Sequence, residues 1–179
     1  MVTLTEIQAI FSGTIRLSEP LARYTALQVG GPADYLLEAG SAEEVERLEE
    51  YFRTKGFPVL GLQKNMLVSD RGFRGAVILD LRSFDPTVGE QRCAPMFKPM
   101  PHHARSVAAL IEQAGLHGLT WGGAAVLADC VVNADNARAS DILALVLHVQ
   151  RMVRTKLGIE LELALQCVGF DDEALANVA

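Results

Sequence analysis

Between Asp85 and Pro101 the chain carries Pro86, Gly89, Pro95, Pro99 and Pro101, and this stretch constrains the fold more than any other. Proline removes a backbone donor and fixes φ, so neither a continuous helix nor a central strand can run through it. The 179 residues are thereby divided into two lobes, with a connector between them. Each lobe alone is small enough to be marginal, so the two are expected to share buried surface. Half of the residues are apolar, which supplies the material for that interior and excludes a disordered chain.

Periodicity fills in both lobes. A short helix is expected from Thr3 to Phe11, ended by Ser12-Gly13. Residues 34–38 and 58–61 read as strands around a helix that opens at Ser41, where Ser41 and Glu44 form a capping box, and closes at Gly56. Val45, Leu48 and Phe52 recur on its inner face, and the result is a β-α-β unit. Residues 76–81 are an apolar run, expected to be a strand buried on both faces. In the second lobe a helix is expected over 104–114 with Gly115 as its left-handed cap, and a strand near Cys130-Val131-Val132. A long amphipathic helix should run from an N-cap at Ser140 to Lys156, with Ile142, Leu145, Val146, Val149, Met152 and Val153 inward. Residues 160–167 alternate with period two, so Leu161, Leu163, Leu165 and Cys167 should face in. The fold class is α/β (α+β) in two small lobes, residues 1–85 and 102–179, joined by the connector 86–101.

Charge and cysteines set the class of partner. A net charge of −6 argues against nucleic acid and against an anionic membrane surface, because both need a basic face. No apolar run approaches the roughly 20 residues that a membrane span requires. Cys93, Cys130 and Cys167 form no CxxC and no metal-ligand spacing, so no metal is expected. The opening Met1–Glu6 has no basic segment followed by an apolar stretch, and a cytoplasmic location is expected.

Three blocks of residues resemble the flavin-dependent UDP-N-acetylenolpyruvoylglucosamine reductase (MurB) family. Thr25, with Val29-Gly30-Gly31-Pro32-Ala33-Asp34, resembles its opening T-x-x-x-G-G-P-A signature. Gly61-Leu62-Gln63-Lys64-Asn65-Met66-Leu67-Val68-Ser69-Asp70 is similar to its G-x-G-S-N-x-L-V-x-D phosphate loop. The third block runs from Phe97-Lys98 through Gly118, Gly122-Gly123 and Asn133 to Gly158-Ile159-Glu160-Leu161-Glu162. The resemblance implies a first flavin-lobe remnant and a substrate-lobe-like C-terminal unit, with the middle flavin-binding lobe missing: only Asp85–Gln91 stands in its place.

The departures fall on the chemistry. At the family's proton-donating serine this chain has Pro95, and at the position of its second acid it has Ala164; neither side chain can move a proton. Leu62 and Gln63 occupy places where a phosphate cradle needs small residues. No bound cofactor is therefore expected, FAD being the one to look for if the family site survives. The remaining candidates are His102 and His103 as general bases at a helix start, with Lys98, Trp121, Asp129, Lys64 and Asn65 as ligand contacts. Each has a plainer alternative: a solvated surface group for the histidines and lysines, a core plug for Trp121, inert packing for Asp129-Cys130. The expected function is binding of a small molecule in a remodelled pocket between the lobes, with or without a non-redox step such as a cyclisation, isomerisation or elimination. A non-catalytic binder of a nucleotide-sugar or protein partner and a residual FAD-dependent reductase are the alternatives. Loss of a lobe would bare apolar surface, and a homodimer would cover it.

Overall fold

The computed structural model describes residues 2–90 and 92–171; Gln91 of the expected connector and residues 172–179 of the expected C-terminal lobe lie outside them. Thr3 and Glu6 cap each other's backbone amides at the start of α1 (Leu4–Ile10), and the helix stops at Phe11 as the sequence suggests. Next comes β1 (Thr14–Pro20), a strand that the periodicity did not reveal. It lies at a sheet edge with mostly exposed side chains, so it has no inward-outward alternation to read.

The remaining N-terminal elements are β2 (Pro32–Ala39), α2 (Ala42–Thr54), β3 (Val59–Gly61), β4 (Met66–Val68) and β5 (Phe73–Asp80). β1, β2, β5 and β3 form a sheet in that order; β1 is antiparallel to β2, while β2 and β3 run parallel to β5. As expected, β5 is buried on both faces. Ala76 and Ile78 pack with Leu48 and Phe52 of α2, and Val77 and Leu79 with Leu36, Met66 and Val68. The Ser41 hydroxyl accepts from the Glu44 amide, but Glu44 reaches back to Gly40 rather than to Ser41, one residue beyond the expected capping box.

The second half contains β6 (Cys93–Pro95), α3 (Val107–Gln113), β7 (Thr120–Trp121), β8 (Ala124–Leu127), β9 (Cys130–Asn133), α4 (Ala139–Leu157) and β10 (Gln166–Val168). An antiparallel sheet of order β6-β9-β8-β7 packs on α4, whose stripe Ile142, Leu145, Val146, Val149 and Val153 is buried as expected. The proline-rich stretch supplies the edge strand β6, with Pro95 at its end, where a missing donor is tolerated.

Three expectations need correction. Helix α3 begins at Val107 because the Ser106 hydroxyl caps it, so His102 and His103 precede the helix instead of opening it. Helix α4 begins at Ala139, and Ser140 lies inside its first turn; the cap comes from Asp70 and Asp141. In the expected strand 160–167 the inward face is right, since Leu161 and Leu165 are buried, but the strand proper is Gln166–Val168, and before it only a single antiparallel bridge joins Leu163 to Phe97. That short strand pairs in parallel with β4, a hundred residues earlier. The halves are interleaved as well as adjacent: Leu27, Val29 and Leu67 belong to the core under α4, and the Asn133 side chain donates to the Leu27 carbonyl (2.9 Å).

Candidate functional site

Parallel strands end with their carboxyl edges side by side, and in open α/β sheets ligands gather there. Beyond β3 comes the loop 62–65, and beyond β5 the segment 81–88; between them lies a cavity of about 230 Å³. Its apolar wall is built by Tyr24, Leu62, Leu79, Phe84 and Val88, with the Tyr24 and Phe84 rings 5.8 Å apart at 50°. Tyr24 donates its hydroxyl to Glu19 (3.0 Å), and burial together with that carboxylate raises its pKa.

The polar groups at the mouth are already engaged. Lys64 Nζ is 3.4 Å from Asp85. Asp85 also accepts from the Thr87 hydroxyl (2.7 Å) and amide (3.0 Å), and the Thr87 hydroxyl is the main cause holding its carboxyl below the usual range. Asp80 is clasped by the Arg82 guanidinium through two hydrogen bonds (2.9 and 2.7 Å), which lowers it likewise.

A flavin pyrophosphate would need free amides and uncompensated positive charge in the loop 62–65. Here the Leu62 amide donates to Ile78 (2.9 Å) and the Gln63 amide faces Met66 Sδ (3.4 Å). Asn65 spends its side-chain amide on the Ala164 carbonyl (2.8 Å), and its own carbonyl accepts from Gln166 (2.9 Å). Lys64 is loosely paired with Asp85, and Asp80 and Asp85 face the space that phosphates would enter. Two of the loop's amides and the Asn65 side chain are thus engaged within the protein, and two carboxylates border the space beside Lys64.

A second concave region of about 260 Å³ marks the junction of the halves, lined by Ser69, Asp70, Arg71, Arg138, Ser140 and Phe170 among others. Its centre is Asp70. One carboxylate oxygen accepts from the Ala139 amide (2.8 Å) and the other from the Ser140 amide (3.0 Å), so a residue of the first half caps the long helix of the second. Asp141 adds a further cap by accepting from the Arg138 amide (3.0 Å). The turn carrying Asp70 is held by Gly31 and Gly72: the Gly31 amide donates to the Ser69 carbonyl (2.9 Å), and a Cβ on Gly31 would lie 2.3 Å from the Asp70 carbonyl. Gly30-Gly31 of the family-like signature thus serves a backbone junction.

The expected site residues are dispersed. Lys64 lines the cavity, and Asn65 fixes the loop beside it. His102 and His103 border a separate shallow apolar hollow with Met100 and Pro101, and His103 Nδ1 accepts from the Arg105 amide (3.2 Å). Lys98 is ion-paired with Glu162, on the exposed surface. Trp121 does not plug the core: it is 49% exposed, with its ring centroid 6.1 Å from that of His148 on α4. Asp129 stands at the β8–β9 turn, its carboxylate 3.7 Å from Cys130 Sγ. Burial, reinforced by Asp129, pushes the Cys130 thiol up to about 11, and burial does the same to Cys167, so both are protonated at neutral pH. No disulfide joins the cysteines, and no cluster suited to a metal occurs among the described residues. Sequence reasoning missed Tyr24, Phe84 and Asp85; the only signal for the last two was their place just past the most buried strand.

The class so defined is a two-lobed α/β protein whose second lobe is an antiparallel sheet on one long helix. Residues 85–168 match the family profile described as UDP-N-acetylenolpyruvoylglucosamine reductase, C-terminal domain. The UDP-N-acetylenolpyruvoylglucosamine reductase of Synechococcus sp. strain CC9311 is 35% identical over 130 residues, which is 65% of this chain and 40% of that protein. Its counterpart from Synechococcus sp. strain WH7803 is 32% identical over 152 residues, 72% of this chain and 47% of that protein. The crystal structure of the reductase (MurB) from Thermus caldophilus superposes with a TM-score of 0.60 at 19% identity, covering 87% of this chain and 100% of that one. The chain belongs to the UDP-N-acetylenolpyruvoylglucosamine reductase family. It spans less than half the length of these two curated relatives. No helix among the described residues is long and apolar enough to cross a membrane.

Proposed function

We propose that this chain is a flavin-independent member of its family that binds a small organic molecule, without reductase turnover, in the cavity at the ends of β3 and β5. The observation that carries this reading is the loop 62–65, in which the Leu62 and Gln63 amides, the Asn65 side chain and the Lys64 ammonium find partners within the protein while an apolar cavity remains open beside them. The cavity is smaller than the usual 300–1,000 Å³ of drug-sized ligand sites, which favours a ligand far smaller than a dinucleotide. Binding is favoured over a non-redox reaction because no histidine borders the cavity, and its two carboxylates are held ionised by Thr87 and Arg82. A cytoplasmic protein, as monomer or homodimer, accords with the acidic surface and with the exposed Leu17 on the edge strand β1.

The test is a visible absorption and fluorescence titration of the purified protein with FAD, alongside its native mass. Free-flavin spectra throughout are expected. Saturable quenching of flavin fluorescence at micromolar protein would overturn the flavin-independent reading.

A further inference from the structure

Resting on the cavity as the ligand site, the chemistry of its mouth narrows the kind of molecule it takes. Asp80 is held by the two-pronged Arg82 contact, and Glu19 by the Tyr24 hydroxyl, so neither is available to a ligand without breaking a good hydrogen bond. The Lys64–Asp85 pair is different. It is a single 3.4 Å contact between side chains 65% and 42% exposed, the weakest kind of ion pair. It therefore opens most readily, and it presents one cation and one anion at the rim of an apolar slot.

Three simple ligand types fit that rim poorly. A phosphorylated anion would meet Asp80 and Asp85. An amine alone would take Asp85 and leave Lys64 without its partner, and a carboxylate alone would do the reverse. A molecule carrying both charges replaces one stretched ion pair with two charge-assisted contacts and leaves the local charge balance unchanged. By liquid volume the slot holds about eight waters, the scale of one amino acid. Tyr24 and Phe84, packed on each other at 5.8 Å, both line the slot and offer aromatic surface for a side chain to rest against.

We propose that the cavity is a binding site for a free apolar or aromatic α-amino acid, with the ligand carboxylate on Lys64, its ammonium on Asp85, and its side chain between Tyr24, Leu62, Leu79 and Phe84. The experiment is an NMR titration of the full chain with L-phenylalanine, following resonances of Tyr24, Phe84 and Val88. 2-Phenylethylamine, 3-phenylpropionate and UDP are run in parallel, and Lys64→Ala and Asp85→Asn variants are compared. L-Phenylalanine should give saturable shifts, the single-charge analogues should bind at least tenfold more weakly, and each variant should weaken L-phenylalanine about tenfold while keeping a native spectrum. Equal binding of either single-charge analogue would overturn the amino-acid assignment and leave the cavity reading standing. Shifts with UDP alone would overturn it in favour of a nucleotide. If no probe moves these resonances, the cavity reading falls as well.

Discussion

Two turns a few residues apart meet opposite demands. The loop 62–65 after β3 is built of bulky and charged side chains, is tied to β5 and to residues 164–166, and borders an open cavity. The turn 69–72 after β4 is so tight that its glycine lies against the backbone of β2, and its one carboxylate is committed to the N-terminus of α4. The family-like residues Gly30, Gly31 and Asp70 sit at or against the second turn; the departures Leu62 and Gln63 sit in the first. What joins the two halves keeps the resemblance, and what would hold a ligand has changed.

The sharpest way to break this contrast is Gly72→Ala. Gly72 has φ +82°, and a Cβ there would sit 1.9 Å from the Pro32 carbonyl. A loss of at least about 3 kcal/mol in denaturant-measured stability is expected, and a loss under about 1 kcal/mol would show that the turn yields. Next in size is Asp70→Ala, which strips two amides at the start of α4 of their acceptor. A cost of about 1–2 kcal/mol is expected, with the amide-exchange protection of Ala139 and Ser140 lost first. Unchanged protection would mean that Asp141 alone caps the helix.

The smallest effect belongs to the cavity side. The Asp85 carboxyl titrates below its usual 3.8 in the folded protein because Thr87 and Lys64 stabilise its charged form. Its contribution is therefore present above the usual carboxylate value and fades as pH falls through the lowered one. An NMR titration of its side-chain carboxyl should give a midpoint below 3.8, and a midpoint at or above that value would dissolve the Thr87 clasp.

The sequence made the elements with strong patterns legible. Ser41 and the α2 stripe, the doubly buried β5 and the α4 stripe are where the periodicity put them, because burial of each face dictated residue type. Exposed β1 carried no such pattern. Leu161 and Leu165 showed their inward side but not their partner, since alternation says nothing about which strand lies opposite. The site was harder still. Lys64 stands out in its loop and lines the cavity, but Tyr24 and Phe84 meet only in three dimensions, and nothing local to Asp70 indicates that its carboxylate caps a helix 69 residues later.

The pairing of β10 with β4 carries a consequence for how the chain is made. Among the described residues, 66–68 have no ladder partner other than 166–168, and the Ser69 amide that begins the tight turn donates to the Val168 carbonyl (2.8 Å). During synthesis the first half thus waits with an open strand until the second has been translated, some five to twenty seconds at ordinary elongation rates of about 5–20 residues per second. The two halves mature together, and a nascent chain stopped before Gln166 would offer β4 to whatever other strand it met.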